Sequence, residues 1–286
     1  MTRLAGWAGP IRAVLPAAIL LCVAGALVIC ALADKGPHAP RAAPVAAGAP
    51  ATSPTTRPAS TQPLKPWKPP RIKARQSDRA AMARVIRLYG LKDKPILDAM
   101  EAVARHEFVP RSLLGDAYRD SPLPIGHGQT ISQPYIVAKM TRELRLPKNA
   151  RVLEVGTGSG YQAAVLSEFT RHVHTIEIIK PLYEAARKRL KRLGYHVIQV
   201  RHGDGYYGWA DKGPFDAIIV TCAAGQIPPP LIKQLKRGGR MVIPVGGPFS
   251  VQSLLLVEKR KDGSLRSRSL GAVRFVPLTR KDATAK

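Results

Sequence analysis

Apolar and polar residues follow different rhythms in successive parts of this chain. Residues Ala13 to Ala33 carry no charge and are almost wholly apolar, with Arg3 and Arg12 ahead of them. Such a run predicts a membrane anchor or a signal segment, and it exceeds the roughly 7 to 15 apolar residues of a usual signal core, which favours the uncleaved anchor. Ala31-Leu32-Ala33 would serve as the cleavage site in the other case. From Gly36 to Pro70, Pro, Ala, Ser and Thr dominate, a composition that buries too little apolar surface to offset its ordering cost and predicts an extended tether. The expected division is a membrane segment at 1–35, a disordered linker at 36–76 and a folded domain at 77–286.

Within the domain the helical and strand periods alternate. Ser77 is placed to N-cap a helix that reaches Tyr89 and stops at Gly90. Ile96, Leu97, Met100, Val103 and Ala104 then repeat at helical spacing to about Arg105. Residues 106–133 are rich in Pro and Gly with little periodicity, and a loop of that length is uncommon in a compact domain unless it carries function. Beyond Tyr135 the pattern predicts a helix to about Leu144, strand Arg151–Val155, helix Tyr161–Phe169, strand His172–Ile176 and helix Pro181–Leu193. Strands Val197–Val200, Phe215–Val220 and Arg240–Pro244 follow, with a short helix near Pro230–Leu235. This order implies an α/β fold, a parallel sheet with helices on both faces and a ligand at the carboxyl ends of its strands. Ser253–Glu258 and Leu265–Phe275 flank an Asp262-Gly263 turn, so an antiparallel hairpin should complete the sheet.

The first of these strands runs directly into a turn, R-V-L-E-V-G-T-G-S-G-Y over Arg151 to Tyr161. Its G-x-G-x-G spacing differs from the G-x-G-x-x-G of dinucleotide binders, and glycines there let a backbone approach a ligand. Glu177 ends the next strand, where a carboxylate can accept hydrogen bonds from ribose hydroxyls. Asp204, between Gly203 and Gly205, either accepts from an adenine amino group or is a plain turn aspartate. These segments and Thr221-Cys222-Ala223-Ala224 all fall at strand ends and should meet in one crevice.

Charge and composition narrow the partners. The net charge is +26, and after Arg75 there are 35 Lys and Arg against 18 Asp and Glu. Such a surface attracts acidic lipid, nucleic acid or acidic polypeptide, or is simply solvated. Arg187-Lys188-Arg189 and Lys191-Arg192 look like the wet face of one helix, without the interleaved aromatics of a nucleic-acid stacking platform. Cys22, Cys30 and Cys222 build no disulfide framework. The histidines show no helical metal-ligand spacing and no C-x-x-C is present, so no metal site is expected.

Several segments together carry a family resemblance: F-V-P-R (Phe108–Arg111), L-P-I-G-H-G-Q-T-I-S-Q-P-Y (Leu123–Tyr135), the glycine turn, G-D-G-Y-Y-G-W, P-F-D-A-I-I-V-T and G-G-R-M-V-I-P-V-G. Over about Ser77 to Leu278 the chain resembles the protein-L-isoaspartate (D-aspartate) O-methyltransferases. The resemblance implies a Rossmann-like S-adenosylmethionine-dependent methyltransferase sheet with an N-terminal helical extension, acting on the carboxylate of isoaspartyl residues in damaged proteins and peptides. It implies that Glu154, Gly156, Thr157, Gly158, Ser159 and Gly160 hold the methionine end of S-adenosyl-L-methionine. Glu177 would hold its ribose and Asp204 and Gly205 its adenine, with Thr221 beside them. Ile131, Ser132, Gln133 and Pro134 would meet the substrate, and Ser132 matches the family's active-site serine. Ser132 can equally be a helix N-cap before Pro134, and the two roles are compatible. The sequence departs from the family at Cys222, where alanine is more usual, and in its N-terminal segment.

The rival expectations are a nucleic-acid methyltransferase, and a membrane-tethered scaffold that binds cofactor without turnover. Against the first, Thr221-Cys222-Ala223-Ala224 stands where an N-P-P-Y-type tetrapeptide would be needed. No specific nucleic-acid partner and a monomeric catalytic domain are expected. Arg3, Arg12 and the amino terminus outweigh the charge just after the apolar run, which places the domain on the periplasmic side. The cofactor, made in the cytosol, favours the cytoplasmic side. Membrane association, or export if the segment is cleaved, is therefore the expectation, with the side left open.

Overall fold

The computed structural model describes residues 67–248 and 250–280. The apolar run, its cleavage site and most of the linker lie outside the described residues. Among the described residues no helix is long and apolar enough to cross a membrane.

Two helices, α1 (Gln76–Leu88) and α2 (Lys94–Ala102), open the domain and pack against each other and α3 (Pro134–Leu144). The pattern puts the α1 cap at Ser77; the structure puts it at Arg75, in a left-handed conformation with φ 55° and no side-chain cap. Asp78 in the first turn instead pairs with the Arg75 side chain at 2.7 Å, a carboxylate placed favourably at the helix's positive end. For α2, Asp93 supplies the cap by accepting from the Ile96 amide. Trp67 to Arg75, expected as tether, lies against the domain: Trp67 is packed on the core and Arg71 grips Glu168 with both terminal nitrogens, at 2.9 and 2.8 Å.

The sheet has seven strands: β3 (Arg151–Val155), β4 (His172–Glu177), β5 (Gln199–His202), β6 (Phe215–Val220), β7 (Leu235–Val245), β8 (Gln252–Lys259) and β9 (Leu265–Val273). Their spatial order is β5-β4-β3-β6-β7-β8-β9. The first five are parallel, and β8 and β9 are antiparallel. From β3 the chain winds outward to β5, then returns to β6 on the other side of β3. That reversal opens a crevice at the carboxyl ends of β3 and β6, where ligands of such sheets bind.

Alternation along the strands explains why both faces are covered. Val152, Ala217, Ile219 and Val242 point into a core shared with α1, α2, α3 and α4 (Tyr161–Leu166). Their neighbours Leu153, Ile218, Met241 and Ile243 point into a second core closed by Leu231 of α6 (Pro229–Gln234). The long basic helix α5 (Lys180–Arg192) buries Leu182, Ala186 and Leu190 and leaves Arg187, Lys188, Lys191 and Arg192 exposed. Arg189, expected on the same wet face, is instead half-buried and donates to the Ser159 carbonyl at 2.9 Å.

The structure differs from the sequence expectation most in residues 106–133. These hold two 3₁₀ turns, Arg105–Phe108 and Arg111–Asp116, and a hairpin of β1 (Leu123–Gly126) with β2 (Gln129–Ile131). Its central residues His127 and Gly128 both have positive φ, 54° and 69°, as a type I′ turn requires. The edge strand β5 begins two residues later than its apolar pattern implies, because the Ile198 amide closes a turn onto the Tyr195 carbonyl at 3.2 Å and pairing with β4 starts at Gln199.

Candidate active site

The crevice is built outward from β3. After Val155 the chain turns at Gly156, whose φ is 96° and where a Cβ would come within 2.5 Å of the Thr221 hydroxyl. Only glycine meets both constraints. The turn is held by amide bonds from Gly156 and Thr157 to the Ile176 carbonyl, at 2.9 and 3.1 Å. Thr221, at the end of β6, donates its hydroxyl back to the Gly156 carbonyl at 2.7 Å. Thr221 therefore lines the crevice and fastens the turn with the same side chain. Gly205 approaches β3 as tightly, since a Cβ there would lie 2.4 Å from Val155 Cγ1.

Three carboxylates stand around this turn in different states. Glu177 accepts from the Gly158 amide at 2.8 Å and from the Ile179 amide at 2.9 Å, so it is oriented toward the turn with lone pairs left over. Asp204 accepts from the Tyr206 amide through Oδ1 at 2.9 Å, while its buried Oδ2 has no hydrogen-bond partner. Glu154 is fully buried, and neither of its oxygens has a hydrogen-bond partner. Burial pushes its pKa up to about 8; the Thr175 hydroxyl, engaged with Thr157, works against this and Glu177 adds to it. Cys222 lines the same cleft, and burial pushes its thiol up.

An unpaired buried carboxyl is costly unless something is to meet it there. Glu154 faces a small cavity together with Gln162, whose Oε1 is also buried and unpartnered, and with the glycine turn up to Ser159. These acceptors fit an ammonium group. Glu177 offers further acceptors on the wall of the adjoining cleft, and the Asp204 Oδ2 lies next to Gly205 without a hydrogen bond. The adjoining cleft, open to solvent, runs between the turn, Glu177 and Gly205. Its remaining wall is Val276 to Thr279, a segment that the sequence reading left outside the site. No local pattern marks these residues, because only the return of the chain after β9 brings them there.

The acceptor side is built differently. Ile131 is buried and Pro134 opens α3, so both shape the segment from within. The pattern allows Ser132 to cap α3; the structure gives that task to Asp120. Asp120 Oδ1 accepts from the Tyr135 amide at 2.8 Å and Oδ2 from Gln133 Nε2 at 2.6 Å. Gln133 is thus engaged in bracing the segment, whereas Ser132 makes no side-chain hydrogen bond among the described residues. Beneath the loop the buried Arg105 donates to the Ala117 carbonyl at 2.9 Å and sits over the Tyr161 ring. Thr130 and Ser132 line both the cavity around Glu154 and an outer groove bounded by Ile136, Val273 and Arg274. They stand where cofactor side and open groove meet. Among the described residues no group of three or more His, Cys, Asp and Glu is arranged to hold a metal ion.

A parallel sheet with this glycine turn, an acid ending the second strand and a carboxylate after the third fits an S-adenosylmethionine-dependent methyltransferase. Residues 77–283 match the family model described as Protein-L-isoaspartate(D-aspartate) O-methyltransferase (PCMT), and the chain belongs to that family. It is 61% identical over 187 residues to protein-L-isoaspartate O-methyltransferase 2 of Syntrophobacter fumaroxidans, covering 65% of this chain and 76% of that one. The identity is also 61% to the protein of the same name from Polaromonas sp., covering 65% of this chain and 89% of that one. A solved protein-L-isoaspartate O-methyltransferase superposes with a TM-score of 0.64 at 33% identity, covering 70% of this chain and 65% of that one. A Plasmodium falciparum structure in complex with S-adenosyl-L-homocysteine shares the fold, with a TM-score of 0.61 at 24% identity over 70% of this chain and 98% of that one.

Proposed function

We propose that this domain carries out the family's reaction, methylation of the L-isoaspartyl carboxylate in damaged proteins and peptides, with Ser132 as the residue that meets the acceptor. The observation that carries this is the uncommitted Ser132 hydroxyl between the cofactor cavity and the outer groove. When bound, S-adenosylmethionine supplies an electrophilic methyl group on a sulfonium. The acceptor carboxylate is ionised near pH 7, so no residue need remove a proton. Ser132 donates to one carboxylate oxygen and leaves the other free to attack in line. With the cofactor held by Glu154, Gln162, Glu177 and Asp204, transfer of its methyl group to that oxygen would leave a methyl ester and S-adenosylhomocysteine. Opposite charges are consumed, so exclusion of water favours the transfer as much as alignment does.

Glu154 and Gln162 would hold the methionyl ammonium, Glu177 the ribose and Asp204 the adenine amino group. Gly156, Thr157, Gly158, Ser159, Gly160 and Gly205 would let the backbone close on the cofactor. The test is Ser132→Ala, expected to lower methyl transfer to an isoaspartyl peptide about 100-fold, as for the loss of an aligned donor, with S-adenosylhomocysteine binding retained. Equal turnover by the variant would remove Ser132 from the mechanism.

The same proposal includes attachment to a membrane through Ala13 to Ala33. Its support is the charge-free length of that run. A reporter fused after Lys286 and fractionated with membranes tests it, and recovery of the intact chain in the soluble fraction would overturn it.

A further inference from the structure

The wall formed by Val276 to Thr279 continues into a contact that the reaction itself does not require. Two backbone bonds hold the start of this strap to the end of β6, from the Ala223 amide to the Val276 carbonyl at 2.8 Å and from the Leu278 amide to the Ala223 carbonyl at 2.7 Å. Beyond Leu278, the polar contacts among the described residues are those of Arg280. Its guanidinium lies 3.7 Å from the Tyr206 ring centroid and 5.3 Å from that of Tyr207. It also donates to the Tyr207 hydroxyl at 2.9 Å and stands 3.6 Å from Asp204 Oδ2. All of these partners belong to the loop assigned to adenine.

We propose that Arg280 is a positioning residue of the cofactor site, latching the strap to the Asp204–Tyr207 loop so that the cleft stays closed along the adenosine. The inference rests on assigning the cofactor to this cleft. Asp204 Oδ2 and Arg280 Nε are both buried without a hydrogen bond, so the latch is a charge pair reinforced by stacking and lacks the strength of a bidentate pair. That strength suits a contact that opens when cofactor and product exchange. Oδ2 has lone pairs for the adenine amino group and for Arg280 together, so the latch and the bound cofactor are compatible.

Calorimetric titration with S-adenosylhomocysteine tests this on the full chain. The Arg280→Ala enzyme is expected to bind it about tenfold more weakly and to release it faster, with KM for an isoaspartyl peptide at saturating S-adenosylmethionine within about twofold of wild type. Arg280→Lys, which keeps the charge but loses the planar stack, should recover part of the affinity. Unchanged or tighter binding by Arg280→Ala overturns the latch. So does an equal deterioration of ligand-free melting temperature, peptide KM and cofactor affinity, which marks a general structural role. Failure of the wild type to bind overturns the cofactor assignment itself, and the latch with it.

Discussion

The two sides of the crevice reach rigidity by different means. On the cofactor side the ends of β3, β4 and β6 are set by parallel register, and the glycine turn closes with bonds to Ile176 and Thr221. On the acceptor side Asp120 holds the start of α3, and Arg105 holds the preceding loop through the Ala117 carbonyl. The proposed cofactor side thus combines a glycine turn with carboxylates fixed by the sheet, and the proposed acceptor side depends on a braced loop. Changes on the first side should weaken cofactor binding, whereas changes on the second should spare the cofactor and weaken turnover.

Gly156→Ala gives the largest expected effect. The positive φ and the 2.5 Å approach to Thr221 leave no room for a methyl group, so the turn must shift, at a strain of about 1–3 kcal/mol. Titration with S-adenosylhomocysteine should show binding weakened at least about 100-fold. Binding at wild-type strength would refute the backbone account of the cofactor side.

Glu154 sharpens the comparison through pH. Its folded-state pKa is raised from 4.5 to about 8 by burial, so the ligand-free fold retains a proton that the unfolded chain gives up. The contribution to ligand-free stability is full below about pH 4.5 and is lost as pH rises toward about 8. The ammonium needs the ionised form, so S-adenosylhomocysteine affinity should climb from pH 6.5 to 8.5, by up to about tenfold per unit below the pKa. Glu154→Gln should flatten that profile, bind about tenfold more weakly at pH 8.5, and melt higher than wild type without ligand at that pH. A pH profile unchanged by the substitution would contradict the role.

Asp120→Ala, which unpins the Ser132 segment, acts on the other side of the crevice. Peptide kcat/KM should fall about tenfold with cofactor affinity unchanged. The pair Asp120→Asn with Gln133→Glu reverses the donor and acceptor across the same bridge and should restore much of the activity. No restoration would show that Asp120 acts in another way.

The same contrast explains what the sequence revealed. Glu177 and the glycine turn were legible because strand, turn and acid lie within one local βαβ unit. Asp204 was legible for the same reason, as a charged residue between glycines at a strand end. The β1–β2 hairpin was not, since strands of three and four residues give no measurable alternation. Ser132 looked like the cap of α3 because it is adjacent, whereas the actual cap, Asp120, lies 15 residues from the Tyr135 amide it accepts from. Val276 to Arg280 reach the cofactor cleft only through the tertiary return of the C-terminal hairpin. Local chemistry was readable, and braces supplied across sequence distance were not.

The central claim joins a general methyl donor to a particular acceptor, so the most direct measurement compares two acceptors. Labelled S-adenosylmethionine and the purified enzyme are offered a peptide carrying L-isoaspartate and its twin carrying ordinary aspartate. Base-labile methyl ester is expected on the isoaspartyl peptide alone, with stoichiometric S-adenosylhomocysteine. Equal labelling of the two peptides, or labelling of nucleic acid in place of either, would contradict that claim.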